Sequence, residues 1–156
     1  MTTTPAQIDT DKLMAFVFRA VDEVGAALNC ALVVMGDRLG YYRDLAAHGP
    51  TTPDELAGRT GTGVHYAREW LNAQAAGGFV EYDAGTRRYT LPPEHAVALA
   101  DESSPAFLPG FFQIAHGTVR DAEMVIKAAA TTGPGGGLGW DRHNSDVHAG
   151  CERFFR

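Results

Sequence analysis

The N-terminal part of the chain carries apolar residues that recur every three or four positions, which is the period of an α-helix. The main apolar stripe consists of Leu13, Val17, Ala20, Val24, Ala27 and Ala31. A more polar stripe on the other side consists of Lys12, Arg19, Asp22 and Ala26. Other apolar residues lie off the main stripe: Phe16, Phe18, Val21 and Leu28. The pattern predicts a helix over 11–35 that needs cover on two sides, by a second subunit or by later helices of the same chain.

A short helix and a helix-turn-helix are predicted next. Residues 36–40 (GDRLG) interrupt the first period, and the following helix over 41–48 should turn Tyr42, Leu45 and Ala46 inward. In the stretch TTPDELAGRTGTGVHYAREWL, Thr52 is suited to an N-cap, Pro53 to the first helical position, and Glu55 completes a capping box. This helix should end near residue 61.

The second helix of this pair is predicted over 64–76, ended by Gly77 and Gly78. Its expected inward residues are Val64, Ala67, Leu71 and Ala75, with Trp70 on the margin. Its expected outward residues are His65, Arg68, Glu69, Asn72, Ala73 and Ala76.

The period then changes to two, which is typical of β-strands. Residues 79–83 and 88–91 alternate and are joined by Ala84-Gly85-Thr86, so they predict a β-hairpin. Three helices followed by a hairpin predict a winged helix-turn-helix. The fold class is therefore mainly α, with a small hairpin wing, a long N-terminal helix and C-terminal helices.

The C-terminal third predicts a short helix over 94–100, and then a long helix that begins at Ser104-Pro105 and ends near Thr131. The apolar stripe of the long helix consists of Leu108, Phe111, Phe112, Ala115, Val119, Ala122 and Ile126. Its polar stripe consists of Gln113, His116, Arg120, Glu123 and Lys127. A last helix should be capped by Asp146, with an apolar side of Val147, Cys151, Phe154 and Phe155. Since two phenylalanines stand at its unfinished end, a fragment of a longer protein is expected.

Composition narrows the possible functions. The 156 residues carry a net charge of −6, whereas nucleic-acid domains usually show a basic balance. Cys30 and Cys151 are too few and too far apart for a disulfide framework. The start of the chain lacks the features of a signal peptide, and the apolar run over 26–35 is too short to span a bilayer. A cytoplasmic protein without a membrane partner is expected.

The helix-turn-helix raises the possibility of DNA reading, with Arg68, Arg87 and Arg88 as the contacting residues. However, Glu69 follows Arg68 directly and would be repelled by phosphate. DNA binding is thus not the favoured function, but a dimeric winged-helix regulator of transcription that senses a small molecule stays open as the alternative.

The run from GDRLGYYRDL to PGFFQ (36–113) resembles the N-terminal winged-helix domain of bacterial class I S-adenosylmethionine-dependent methyltransferases. The later piece GWDRHNSDVHAGCERFFR resembles the segment that leads into their catalytic domain. The resemblance implies a domain that supports dimerisation and roofs the substrate site. The cofactor domain of that family is expected after Arg156, so this chain alone should bind no S-adenosylmethionine and be inactive. The implied division is 1–35 tail and dimerisation helix, 36–100 winged helix, and 101–156 helix, loop and linker helix.

On this interpretation the expected partners are a second copy of the chain and, in the full-length protein, a small apolar or aromatic substrate. Phe111, Phe112 and Trp140 are candidate walls of the substrate pocket, and His116 is either a solvated residue or a polar group that faces the pocket. The segment GPGGGLG over 133–139 lacks the strand-before, helix-after context of a nucleotide loop, so it is interpreted as a flexible linker.

A metal site is not expected, although four possible ligands lie close together near the end of the chain. They are His143, Asp146, His148 and Cys151. Their spacing matches no strong ligand pattern, and Asp146 is already expected to cap a helix.

Overall fold

The structure is a computed structural model that describes residues 8–131 and 137–155. Its α-helices are α1 (Thr10–Arg38), α2 (Tyr41–His48), α3 (Pro53–Thr60), α4 (Val64–Ala76), α5 (Pro93–Leu99), α6 (Pro109–Arg120), α7 (Ala122–Thr131) and α8 (Ser145–Phe154). One antiparallel hairpin consists of β1 (Glu81–Asp83) and β2 (Arg88–Thr90), and a 3-10 turn spans Trp140–Arg142. The predicted fold class, a mainly α winged helix-turn-helix, is confirmed.

The helix-turn-helix follows the local signals of the sequence closely. The hydroxyl of Thr52 accepts from the Glu55 N–H at 3.3 Å, and the Glu55 carboxylate accepts from the Thr52 N–H at 2.9 Å. Gly61 ends α3 in the left-handed region at φ 68°, which glycine adopts without steric cost. The capping box, the turn and the bounds of α2 and α4 are all confirmed.

The wing is a short hairpin in which Tyr82 pairs with Tyr89 and Glu81 with Thr90. Its strands are shorter than predicted, because residues 79 and 80 belong instead to the turn after α4. Tyr89 also forms a bridge with Thr51, with N···O distances of 2.8 and 2.9 Å. This bridge attaches the wing to the start of α3.

Trp70 lies at the centre of the core, not on its margin as the helical wheel predicted. It is 1% exposed, and the rings of Tyr41 and Tyr42 meet it edge-on at 4.9 and 5.1 Å. The indole N–H donates to the Leu32 carbonyl of α1 at 2.9 Å, so the ring is both packed and satisfied. Ala46, which was expected to point inward, is exposed, and Tyr41 occupies the core instead.

A buried amide extends the core beside Trp70. Gln74 is fully buried, accepts from the Tyr42 hydroxyl at 2.5 Å and donates to the Asn29 side chain at 2.8 Å. Since each of these contacts crosses between helices, Gln74 connects α4 to both α2 and α1. Gln74 is not among the predicted inward residues of α4, because glutamine side chains are normally exposed.

The predicted interruption of α1 at residue 36 is wrong, because the helix continues to Arg38. Gly36 lies directly against Trp70: a Cβ atom there would be 2.3 Å from the indole ring. The glycine is therefore a point of close helix packing inside α1. Leu39 is the C-cap of the helix, and Gly40 follows in the left-handed region at φ 74°.

Most of α1 has no cover from the described part of the chain. Buried residues begin at Cys30, and the apolar stripe that ends at Ala31 faces away from the body. Intrachain cover by later helices, one of the two expected possibilities, is therefore not found for the stripe.

The long C-terminal helix differs from the prediction in its bounds and in its buried face. It begins at Pro109, after a non-helical 104–108 segment, and is broken at Asp121 into α6 and α7. Its buried residues are Pro109, Gly110, Gln113 and Gly117, whereas Phe111 and Val119 of the predicted apolar stripe are 54% and 68% exposed.

Close contact between two glycine-containing helices explains this inversion. A Cβ at Gly117 would be 2.7 Å from the Val147 nitrogen, and a Cβ at Gly150 would be 2.6 Å from the Gly110 carbonyl oxygen. Helix α8 therefore approaches the small-residue face of α6, where no side chain separates the backbones. Hydrophobic periodicity favours large residues and cannot identify such a face.

Helix α8 is capped by Asn144, not by Asp146 as predicted. The Asn144 side chain accepts from the Asp146 N–H at 3.0 Å, and Asp146 itself is a buried residue of the first turn. The predicted glycine-rich linker lies largely outside the described residues, which resume at residue 137. In the described ranges, no helix is long and apolar enough to cross a membrane.

The burial of α4 gives a direct test of the core. Leu71 is fully buried, so Leu71→Ala should leave a cavity and lower the free energy of unfolding by about 2–5 kcal/mol. Arg68→Ala removes an exposed side chain from the same helix and should change it by less than about 0.5 kcal/mol. Urea unfolding followed by circular dichroism measures both values. Equal effects of the two substitutions would contradict the assigned orientation of α4.

Candidate functional site

The C-terminal part of α1, residues 30–38, meets α6 and α8 in a seam that contains most of the buried charge. Cys30 begins it: its thiol donates to the Phe112 carbonyl at 3.3 Å, and burial raises its pKa. About two helical turns further along α1, Asp37 and Arg38 bind side chains of α8. The seam thus joins residues more than 100 positions apart in the sequence.

Asp146 is the central acceptor of the seam and is 5% exposed. It accepts from the Gln113 amide at 3.1 Å, lies 3.0 Å from Nδ1 of His116, and forms an ion pair with Arg38. The Arg120 guanidinium lies 3.6 Å away. Burial by itself raises the pKa of Asp146, but hydrogen bonds from Gln113 and His116 and the charge of Arg38 outweigh it, so the pKa is lowered. Asp146 is thus held as a carboxylate.

Asp37 forms the second ionic contact of the seam. The Arg153 guanidinium donates two hydrogen bonds to the Asp37 carboxylate in a bidentate contact, at N···O distances of 2.7 and 3.1 Å. Arg43 reaches the same residue through its backbone carbonyl at 3.0 Å. A two-pronged arginine–carboxylate contact fixes orientation as well as distance, so α8 is held to α1 in one register.

Asp121, at the break between α6 and α7, is 1% exposed. Its carboxylate accepts the Asn144 backbone N–H at 3.0 Å and lies 2.8 Å from Nδ1 of His143. Burial raises its pKa, but the bonds from Asn144 and His143 exceed that effect and lower it. Asp121 thereby positions the chain that enters α8.

A depression of about 300 Å³ opens on the outer side of the seam, next to the exposed stripe of α1. It is lined by Ala31, Val34, Met35, Arg38, Leu39 and His116. His116 is not a freely solvated residue, since its side chain is 26% exposed and bonded to Asp146. This seam depression combines apolar walls with one oriented imidazole.

The four residues expected to bind substrate have different neighbours. The Phe111 ring faces Phe154 at 5.1 Å, whereas the Phe112 ring lies against Phe79 of the winged-helix core at 6.2 Å. Trp140 is 59% exposed and meets the ring of His148 at 4.8 Å. Their role in substrate binding stays a prediction.

Three of the four residues weighed as metal ligands have other partners. Asp146 and His143 are engaged in the hydrogen bonds given above, and His148 lies against Trp140. Across residues 8–131 and 137–155, no group of three or more histidine, cysteine or acidic side chains is arranged to hold a metal ion.

The three arginines considered for DNA contact differ in availability. Arg88 forms a two-pronged ion pair with Glu55, at 2.7 and 2.9 Å. Hydrogen bonds from Arg88, and then from the Thr52 backbone, lower the pKa of the Glu55 carboxyl to about 2. Arg68 and Arg87 instead line an open groove between α4 and the wing.

Sequence reasoning missed the residues that build the seam: Asp37, Asp121 and Arg153. Their partners lie far away in sequence, so no local spacing could reveal them. A weak signal was present in Gly110, Gln113 and Gly117, which place two small residues and one amide on a single helical face.

Comparison with known proteins identifies the winged-helix segment. Residues 26–101 match the sequence model of the family described as the Rv2258c-like winged HTH domain. This stretch folds as a winged helix-turn-helix and is similar to that family. No curated protein sequence matches the chain.

Several solved methyltransferases share the fold. The mitomycin 7-O-methyltransferase MmcR superposes with a TM-score of 0.63 at 22% identity, over 79% of this chain and 36% of its own. CalO1, a methyltransferase in calicheamicin biosynthesis, gives 0.59 at 21% identity, over 96% and 45%. Human N-acetylserotonin methyltransferase gives 0.53 at 13% identity, over 83% and 36%. The chain thus spans less than half the length of each, and the expected structural resemblance to methyltransferases is confirmed as a fold.

The buried carboxylates of the seam predict a pH-dependent stability. Because the pKa values of Asp146 and Asp121 are lowered on folding, their contribution is complete above the unfolded value of about 3.9 and is lost as the pH falls through the folded values. Asp146→Asn should cost about 1–3 kcal/mol near neutral pH and reduce the loss of stability on acidification. Urea unfolding at about pH 6 and about pH 3 measures both effects.

The matched control is Asp22→Asn, an exposed aspartate on the polar side of α1. It should leave the stability and its pH dependence as in the unmodified chain. If Asp146→Asn also unfolds with an unchanged midpoint at both pH values, the seam is not held by this carboxylate.

Proposed function

We propose that this chain, whose residues 26–101 form an Rv2258c-like winged helix-turn-helix, is the dimerisation and substrate-lid part of an S-adenosylmethionine-dependent methyltransferase. The observation that carries the proposal is the uncovered apolar length of α1. The fold shared with MmcR and CalO1 supports the methyltransferase context. The activity, substrate and partners of the whole protein belong to this proposal.

The uncovered part of α1 is unusually apolar for a surface. Eight of its large apolar side chains are 39–68% exposed: Leu13, Met14, Phe16, Val17, Phe18, Val21, Val24 and Leu28. Monomeric soluble proteins rarely expose contiguous apolar patches beyond a few hundred Å². A second copy of the chain is the partner that presents a matching apolar helix, as a two-fold interface between identical surfaces requires.

The lid role is supported by the surface of the seam. The seam depression offers Val34, Met35 and Leu39 as apolar contacts. His116 has one ring nitrogen bonded to Asp146, which orients the other for a polar substrate atom. Phe111, packed on Phe154, provides an exposed aromatic surface near the end of the described chain. A small apolar or aromatic methyl acceptor suits these groups.

The second candidate function is a dimeric winged-helix regulator that binds DNA. The position of Arg68 and Arg87 in one groove favours it. Against it stand the engagement of Arg88 with Glu55 and the net charge of −6, because phosphate contacts dominate the affinity of DNA-binding domains.

Charge placed on the apolar stripe of α1 tests the dimer. Val17→Lys with Val24→Lys should convert a dimer into monomers or aggregates, since each lysine would place a charge in an apolar interface. Sedimentation equilibrium or light scattering gives the mass directly. The matched control is Asp22→Lys on the polar side of the same helix, which should leave the dimer intact. A compact monomer for the unmodified chain at high concentration would contradict the proposal.

The cofactor is expected to bind elsewhere in the parent protein. A class I site needs a strand followed by a glycine turn and a second strand with a ribose-binding carboxylate, and residues 1–156 contain no such sequence. Calorimetric titration of S-adenosylmethionine into the chain should therefore give no saturable heat. A complete class I methyltransferase, titrated in the same way, is the positive control. Saturable micromolar binding of S-adenosylmethionine to the chain alone would contradict this part of the proposal.

A further inference from the structure

We propose that the groove between α3, α4 and the hairpin binds a small organic anion attached to a planar ring. This wing groove has a volume of about 370 Å³. It is lined by Thr52, Pro53, Asp54, Arg68, Asn72, Tyr82, Thr86, Arg87 and Tyr89. It is separate from the seam depression and from the apolar stripe of α1, so the inference does not depend on the proposed methyltransferase role.

The wing groove holds two guanidinium groups without an ion-pair partner. Within the described residues, neither Arg68 nor Arg87 forms a salt bridge or a side-chain hydrogen bond. Neighbouring arginines are all engaged: Arg59 with Asp44 at 2.7 Å, and Arg88 with Glu55 at 2.7 Å. Among the described arginines of α3, α4 and the hairpin, the two without an ion pair thus line the same groove.

The other polar groups of the groove offer both hydrogen-bond donors and acceptors. The Asn72 side-chain oxygen is taken by the Tyr89 hydroxyl, which leaves its amide N–H groups for a ligand. The Thr86 hydroxyl donates to Asp83 at 2.6 Å, which leaves its lone pairs. The Tyr82 hydroxyl has no partner among the described residues. With the guanidinium groups of Arg68 and Arg87, which carry donors only, the groove as a whole favours a ligand that accepts several hydrogen bonds.

An aromatic wall lies beside the arginines. Tyr82 is 48% exposed, and its ring is held against Tyr89 at 4.7 Å with an interplanar angle of 39°. A fixed tyrosine face supports stacking of a planar ring. Arg87 is also the one non-glycine residue with a positive φ, 56°, in the described ranges, a backbone conformation that is uncommon for such residues.

Acidic residues limit the charge of the ligand. Asp54 lines the groove, and Glu69 follows Arg68 on the exposed face of α4. The two arginines of the groove can attract one compact anionic group. The rest of the chain, with its net charge of −6, would repel a long polyanion. A ring that carries a single phosphate or carboxylate therefore fits better than duplex DNA.

The probe for this site is 1-naphthyl phosphate, a planar ring with one phosphate, titrated by its own fluorescence. We expect saturable binding that weakens with added salt. Arg68→Ala and Arg87→Ala should each weaken it by roughly two- to fivefold, as expected for exposed charge pairs. Tyr82→Ala should weaken it as well. Asp54→Asn should strengthen it, because it removes the one acidic group that lines the groove.

The controls separate charge, ring and position. Neutral 1-naphthol and inorganic phosphate each lack one half of the probe and should bind more weakly than 1-naphthyl phosphate. Arg142→Ala removes another exposed arginine, outside the groove, and should leave the affinity unchanged. Thermal unfolding of each variant shows that the fold is kept.

Two outcomes would overturn the proposal. One is the lack of saturable binding at millimolar probe, or affinities that are the same in the Arg68, Arg87 and Arg142 variants. The other is a duplex DNA fragment that binds more tightly than the probe and needs the same two arginines, which would identify the groove as a DNA-reading surface. Neither result depends on whether the chain is a dimer or part of a methyltransferase.

Discussion

The last turn of α1 joins the winged helix to the pair of helices α6 and α8, and the relative position of these two parts depends on it. Three consecutive residues make three different contacts. Gly36 leaves room for the Trp70 ring of the winged helix, Asp37 binds Arg153 of α8, and Arg38 pairs with Asp146 at the start of α8. A side chain at residue 36, or the loss of either charge, would affect the position of α1 relative to both parts.

The contacts of α8 with α6 combine close backbone approach with buried polar groups. Glycines at 110, 117 and 150 leave no side chain between the backbones of the two helices. In the resulting interface the Gln113 amide donates a hydrogen bond to the Asp146 carboxylate. An ionised carboxylate is costly to bury unless it is paired and hydrogen-bonded, and Asp146 is both. Because small and polar residues occupy the buried face of α6, Phe111 and Val119 are left on the outer surface.

Three exposed surfaces of the molecule differ in their chemistry. The stripe of α1 is apolar and long, the seam depression is apolar with one oriented histidine, and the wing groove is rich in hydrogen-bond donors. In a DNA-reading winged helix, the recognition helix and the wing would be expected to offer cations freely to phosphates. Here Arg88 instead stabilises the capping box of α3 through Glu55, so one of its wing cations has a structural function.

Local signals in the sequence determined the winged helix almost completely. The capping box at Thr52 and Glu55, the left-handed Gly61 and the period of α4 each act within a few residues, so the chain carries them whatever surrounds it. They sufficed to predict the bounds of α2 and α4 and the order of elements in the winged helix, whereas the family resemblance rests on the longer run over 36–113.

Tertiary structure alone decided which faces of α1, α6 and α8 are buried, and it brought Trp70 and Gln74 of α4 into the core. Trp70 entered the core because Gly36, on another helix, leaves space for its ring. Asp146 became a buried acceptor because Arg38, Gln113 and His116 converge on it from α1 and α6. Phe111 and Val119 of α6 stayed exposed because α8 packs against the glycine-containing face of α6. Such choices depend on complementary shape and charge between residues that are distant in sequence, and periodicity along one helix carries no information about them.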